Sequence, residues 1–322
     1  MLDVLLDPTI QHALLAGSCV AIVAALIGYF MTARGLTFAA HALPNIGFAG
    51  AAGAVMLGIE PIFGLFAFTI VAGIGIGLLG KAARERDISI GILMTFALGL
   101  GVLFLELYSG YAERVYSILF GTILGISLQA VLVTALSSLL TIAVLLVLFR
   151  PLMFSTFDPD VAQARGVPVR FLAVFLLILV AITVSLAVQI VGALLVFTLL
   201  VGPAATAVRV TQRPLRAIVL AMGLGICYTW LGILAAALNG EWPVGFCVGT
   251  IAFIVYLPVR LLSPLWIGRR PALSPTENVF QETVKGTLGG GANNGQGERR
   301  TKQREASGAG AKQPLSPTEN MF

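Results

Sequence analysis

The sequence predicts an all-α, polytopic membrane protein of about nine transmembrane helices, and three observations carry that prediction. Hydrophobic residues make up 58% of the 322 and charged residues 11%, against about 25% charged in an ordinary soluble domain. Mean hydropathy is +0.96. The apolar residues fall in runs of about 20, long enough to cross a hydrocarbon core of about 30 Å. Between these runs Arg and Lys keep to alternate loops, the pattern of a chain that threads a membrane with its basic loops on one side. The modest net charge of +5 therefore bears on orientation, not on nucleic acid.

In order, the start MLDVLLDPTIQ holds acids and no basic residue, so no cleaved signal peptide is expected and the first run serves to insert the chain. The predicted spans are His12–Met31, Leu36–Leu57, Pro61–Leu79, Ile88–Leu107, Leu128–Phe149, Phe171–Val188, Val191–Val208, Ala217–Leu238 and Val244–Leu262. Tyr116–Ile126 is apolar but too short to cross, is weakened by Gly121 and Gly125, and reads as an interfacial or re-entrant segment on the outer side. Arg34; Lys81, Arg84 and Arg86; Arg150, Arg165 and Arg170; Arg209, Arg213 and Arg216; and Arg260, Arg269 and Arg270 mark the cytoplasmic loops. The opposite loops carry Glu60, Glu113 with Arg114, and Glu241. This threading sets the N-terminus outside and the C-terminus in the cytoplasm.

Small residues four apart, as at Gly73/Gly77, Gly121/Gly125 and Gly245/Gly249, suit close helix packing in lipid and say nothing about substrate. Cys19, Cys227 and Cys247 are scattered through apolar runs and read as small buried hydrophobes rather than a disulfide or metal site. After a membrane domain of residues 1–265, residues 266–322 form a Gly-rich, polar and charged tail expected to be disordered. It nearly repeats one octapeptide, LSPTENVF at Leu273–Phe280 and LSPTENMF at Leu315–Phe322. A docking motif and a duplication without a role both account for that repeat.

Several chemistries are excluded. Gly75 to Lys81 matches the spacing of a P-loop, but Ala82 stands where a Ser or Thr must bind magnesium, the segment is a predicted span, and no strand precedes it. With no other nucleotide motif, the chain is not expected to hydrolyse ATP alone. Two histidines in all, with no triad, HExxH or acid pair, argue against a catalytic site. Glu106, at a span end, is the best acidic candidate, whereas proton-coupled carriers place ionisable residues in mid-span.

The most informative stretch is Gln189–Arg216, QIVGALLVFTLLVGPAATAVRVTQRPLR. An apolar run, Ile190–Val201, meets Gly202-Pro203, a pair expected to stop or bend a helix because Pro lacks a donor and crowds the preceding turn. The small residues Ala204, Ala205 and Ala207 follow, then Arg209, Arg213 and Arg216. The residues alone fit either an ordinary basic loop or a compact surface helix able to receive a push from a soluble partner.

VGALLVFTLLVGPAATAVRVTQRP resembles the VGALLV…PAATA-R signature of the permease (membrane) subunits of ABC importers for zinc, manganese or iron. The resemblance implies that Gly202, Pro203, Ala204, Ala205, Thr206, Arg209 and Thr211 lie in the coupling segment that docks on the ATPase, at Pro203 to about Thr211. ARGLTFAAHALPNIGFAGAAG resembles the family's RGLSL-GDALSHA-LPG stretch on the second span, near the translocation path. Here His41 stands for the family's Asp, and Asn45 for its His. These two are four apart and share a helix face, with Pro44 freeing a carbonyl. They serve equally as a transient way-station for a metal ion or as hydrogen-bonding packing residues. Phe157–Pro168 resembles the family's FDPE-A-ALGV loop beside the ATPase, with Asp158 and Pro159 opening a short helix and Gly166 closing it. Trp242-Pro243-Val244-Gly245 resembles the family's P-G before the last span.

The matches cover roughly residues 12–262. They imply a multi-pass permease of the bacterial inner membrane, working as a homodimer with cytoplasmic ABC ATPase subunits and an extracytoplasmic metal-binding protein. The expected cargo is zinc, then manganese or iron, and ATP and magnesium would sit on the partner ATPase, with no cofactor in this chain. A same-architecture permease for a siderophore or corrinoid is the alternative, and a non-ATP channel or membrane scaffold a further one.

Overall fold

A computed structural model describes residues 7–79, 83–108, 126–239 and 242–266. Among them the secondary structure is helical: α1 Pro8–Ala33, α2 Thr37–Met56, α3 Pro61–Leu78, α4 Ala83–Leu107, α5 Leu128–Phe157, the short α6 Pro159–Ala164, α7 Val169–Val191, α8 Ala193–Val210, α9 Pro214–Asn239 and α10 Val244–Trp266. Each of the nine expected spans has its helix. Seven of these helices are long and apolar enough to cross a membrane: α1, α3, α4, α5, α7, α9 and α10. The other two expected spans, α2 and α8, lie outside that set. α2 is rich in Ala and Gly and carries His41 and Asn45, and α8 offers only the shorter apolar stretch Leu195–Val210. The expected re-entrant segment at Tyr116, the Gly121/Gly125 pair, Lys81, Glu113, Arg114, Glu241, Arg269, Arg270 and the tail with its repeated octapeptide lie outside the described residues.

α1 starts where Asp7 accepts from the Thr9 amide at 2.9 Å, with Pro8 at the first helical position, a combination that satisfies one free donor and presets φ. It is buried on most of its circumference and packs against α5, α7, α8 and α9. α2 packs on α3, α4 and α8, and α3 packs on α7. Lipid tails offer no hydrophobic drive for helices to associate, so close backbone approach supplies the attraction. A Cβ on Gly28 of α1 would strike the Leu200 carbonyl oxygen of α8. Gly73 and Gly77 face Leu177 and Val174 of α7, as small-residue spacing predicts, while Gly245 and Gly249 lie near Leu195 of α8. A polar pair joins two helices inside the bundle: Thr69 of α3 and Ser185 of α7 lie 2.8 Å apart, one hydroxyl donating to the other, which in turn donates to a carbonyl of its own helix. Outward-facing Leu132, Leu136, Leu139 and Val147 of α5 are exposed, as lipid-facing side chains are.

The basic connections gather at one end of the bundle. Arg34, after α1, donates to the last turns of α5, and Arg86 of α4 donates to the Gly35 carbonyl at 3.2 Å. α9 runs antiparallel to α1, since Gly17 meets Thr229 and Ile233 while Gly225 meets Ala21 and Ala25, so Pro214 lies at the end where α1 finishes. α10 runs beside α8, from Gly245 at Leu195 to Tyr256 at Arg209.

Two expectations need correction. The helix does not stop at Gly202-Pro203: α8 continues through both residues to Val210. The interruption lies at Gly192, beside the expected boundary between the spans ending at Val188 and starting at Val191; its φ of 86° and ψ of 151° suit only glycine and separate α7 from α8. Pro203 loses one hydrogen bond, but Ala204 and Ala207 are fully buried, and that packing outweighs the lost bond. The cysteines are all free, yet only Cys247 is buried; Cys227 is exposed on α9. A thiol behaves as a small hydrophobe, and the lipid-facing side of a span is as apolar as its interior.

Candidate functional site

His41 and Asn45 stand one turn apart near the start of α2, as the sequence predicts. The His41 side chain is exposed, and its ring meets Phe197 of α8 edge to face, with centroids 5.2 Å apart. Asn45 is half-buried. Its Nδ2 donates to the His41 carbonyl at 2.9 Å and contacts Met94 Sδ of α4 at 3.7 Å. With its nitrogen engaged twice, the amide leaves Oδ1 as its donor atom toward a cation. Pro44, one residue before, has no N–H for the Ala40 carbonyl, so the same stretch holds a backbone oxygen outside the usual helical ladder. Three helices thus set an imidazole against an aromatic ring and, one turn on, an amide against a thioether.

Met94 was missed in the sequence. Within ISIGILMTFALGLGV it is one apolar residue among many, and only the packing of α4 on α2 brings its sulfur to Asn45. None of these groups is a carboxylate or a thiol. Among the described residues no group of three or more His, Cys, Asp or Glu could hold a metal ion. A set so sparse would bind a cation weakly, as a station on a path requires.

The segment expected to couple to a partner is the second half of α8. Pro203, Ala204, Thr206 and Ala207 are buried, Gly202, Ala205 and Arg209 half-buried, and Thr206 Oγ1 donates to the Gly202 carbonyl at 2.8 Å. The Arg209 guanidinium lies 5.7 Å from the Tyr256 ring centroid of α10, a cation–π contact that fixes the end of α8. Thr211 is the extended C-cap residue, and its hydroxyl accepts from the Arg213 amide at 3.4 Å. Beyond it Gln212, Arg213, Leu215 and Arg216 are exposed, giving a corner both basic and apolar.

The second expected surface is α6. Asp158 accepts from the Val161 amide at 3.0 Å, Pro159 occupies the first helical position, and Gly166 closes the turn with φ of 83°. That is the predicted capping in full. Phe157 and Val161 are exposed beside Asp158, whereas Ala162 is buried. α6 packs on α5 and α7, and the end of α8 on α1 and α9, so the two surfaces sit on separate elements of the same end.

The chain is similar to known proteins over most of its length. Residues 6–263 match the model of the ABC 3 transport family. The chain is 32% identical over 256 residues to "Manganese transport system membrane protein MntC" of Listeria innocua, covering 79% of this chain and 91% of that protein. It is 30% identical over 267 residues to "Manganese import system permease protein ScaB" of Streptococcus parasanguinis, covering 82% and 94%. Among solved structures it resembles "PsaBC from Streptococcus pneumoniae in complex with Fab", with a TM-score of 0.70 and 27% identity, over 79% of this chain and 91% of that one.

Proposed function

The chain belongs to the ABC 3 transport family, and from that premise we propose that it is the permease subunit of an ABC importer for a divalent transition metal, with zinc as its cargo. It is a multi-pass membrane protein and a transport subunit, and ATP is hydrolysed on separate cytoplasmic subunits. The cargo class is supported by MntC and ScaB, both named for manganese. The choice of zinc rests on one observation, the cluster of His41, Asn45 and Met94. Manganese favours carboxylate, carbonyl and water oxygens, whereas imidazole suits zinc and thioether sulfur suits softer ions.

In this reading two copies of the chain flank the path, the N-terminus lies outside, and the basic end faces the cytoplasm and the ATPases. An extracytoplasmic metal-binding protein delivers the ion. Closure of the ATPases on ATP pushes the Pro203–Thr211 segment. Because Ala204 is packed against Gly28 of α1, a push there moves α1 and α8 together. Phe197 on α8 then shifts against His41 and alters access to the cluster. The test is uptake of radiolabelled zinc by cells with and without the gene, in excess manganese or iron. Gene-dependent zinc uptake that neither competitor suppresses is expected. Uptake of manganese in preference to zinc overturns the cargo assignment, and absence of gene-dependent uptake of all three moves the reading to a metal chelate.

A further inference from the structure

We propose that Arg34 is a positioning residue: it locks the start of α2 to the end of α5, so that α6 and the His41–Asn45 pair move as one body. The inference rests on the function proposed above and adds a route by which the α6 surface reaches the path.

A basic residue placed only to orient a loop stays solvated. Arg34 does not. Its Nε donates to Thr156 Oγ1 at 2.9 Å, and its Nη2 donates to Ser155 Oγ at 2.6 Å and to the Leu152 carbonyl at 3.2 Å. All three acceptors are neutral and more than a hundred residues away in sequence. The Leu152 oxygen also accepts from Ser155 Oγ at 3.1 Å and Thr156 Oγ1 at 2.6 Å, so three donors converge on one carbonyl. The guanidinium sits against the last two turns of α5, toward the negative end of the helix dipole. It ties the C-cap residue of α1 to the side of α5. Burial lowers its pKa to about 10, which leaves it charged at neutral pH.

Both ends of this bond set are stiffly connected. On one side, Arg34 closes α1 through its own amide to the Phe30 carbonyl at 3.0 Å, Gly35 turns with φ of 64°, and α2 begins at Thr37, one turn before His41. Arg86 of α4 holds the Gly35 carbonyl at 3.2 Å, which ties the helix carrying Met94 to the same corner. On the other side, α5 ends at Phe157, and Asp158 is both its C-cap residue and the N-cap residue of α6. No flexible linker separates α6 from the latch. Charge-assisted hydrogen bonds are the strong class, and bonds of that class join a candidate docking surface to a candidate path.

The experiment uses the full chain reconstituted in liposomes with its ATPase, comparing the natural chain with Arg34→Gln, Arg34→Lys and the acceptor-side double variant Ser155→Ala/Thr156→Val. Zinc moved per ATP hydrolysed is expected to fall about fivefold or more in Arg34→Gln, a coupling of ordinary allosteric size. ATPase rate and melting temperature stay near those of the natural chain. Arg34→Lys restores part of the ratio, and the double variant repeats the Arg34→Gln result. In parallel, amide exchange in α6 of the permease alone is expected to quicken in Arg34→Gln. An unchanged zinc-to-ATP ratio overturns the proposal. So does a ratio that falls only in step with melting temperature, because that is a merely structural role. If Arg34→Gln does not accumulate, the double variant decides. If the natural complex moves no zinc, the function proposed above fails, and α6 exchange still tests the latch: unchanged exchange refutes it.

Discussion

Replacing two glycines on facing helices by alanine is expected to give opposite results. At Gly28 a new Cβ would run into the Leu200 carbonyl, with the carbonyl carbon at 2.8 Å and Ala204 Cβ at 3.5 Å. A carbon normally stays about 3.3–3.6 Å from a carbonyl oxygen, and the obstacle is backbone, which cannot rotate away. α1 and α8 must separate. Overpacking of this kind destabilises by about 1–3 kcal/mol, occasionally more. Because the obstacle is backbone, the cost lies at the upper end, about 3 kcal/mol; alanine's better helix propensity offsets about 1 kcal/mol, leaving a net loss of about 2 kcal/mol, or about 4–8 °C in melting temperature at about 2–4 °C per kcal/mol. At Gly202 the nearest atoms, Ala252 Cβ and Thr198 Cγ2, are 3.9 Å away, ordinary contact. Gly202→Ala is therefore expected to be neutral or up to about 1 kcal/mol stabilising. Thermal unfolding of each purified variant in one detergent reads the difference. A Gly28→Ala protein that melts with or above the natural chain refutes the α1–α8 contact on which the coupling argument stands.

Three further outcomes are expected. Gly202→Trp and Ala205→Trp should abolish transport while leaving membrane insertion and yield intact, measured by uptake and by immunoblot of washed membranes; uptake retained in both removes the coupling role of the segment. Gly192→Val should destabilise by about 1–3 kcal/mol, because a β-branched residue is strained at φ of 86°, and a melting temperature equal to that of the natural chain contradicts the break. Asn45→Asp should raise manganese uptake relative to zinc, by placing a carboxylate where the amide oxygen stands, and Met94→Leu should lower zinc uptake; unchanged metal preference in both variants removes the cluster from the path.

Helix positions were legible because a span's signal is its length and apolarity, which no tertiary contact needs to modify. The capping of α6 was legible for a similar reason, since Asp158, Pro159 and Gly166 act within a few residues of themselves. The misread position was Gly202-Pro203. Proline's effect depends on what the neighbouring helices offer, and burial of Ala204, beside Gly28 of α1, and of Ala207 keeps α8 whole. The break between α7 and α8 is legible to within a few residues, between the spans ending at Val188 and starting at Val191, but Gly192 as its cause is not, because only its positive φ sets it apart from a packing glycine. The site was half legible. His41 and Asn45 stood out as polar residues in an apolar run, but Met94 and Phe197 come from α4 and α8 and look like ordinary membrane residues. In sequence Arg34 is only an orientation signal, because its partners on α5 lie more than a hundred residues away.

The most direct test of the account is ATP-dependent accumulation of radiolabelled zinc in liposomes holding this chain with its ATPase and its metal-binding protein. The account predicts zinc accumulation that needs ATP, stops when the ATPase is inactivated, and weakens in a His41→Ala variant that still inserts and melts normally. Accumulation that proceeds without ATP, or that His41→Ala leaves untouched, would contradict it.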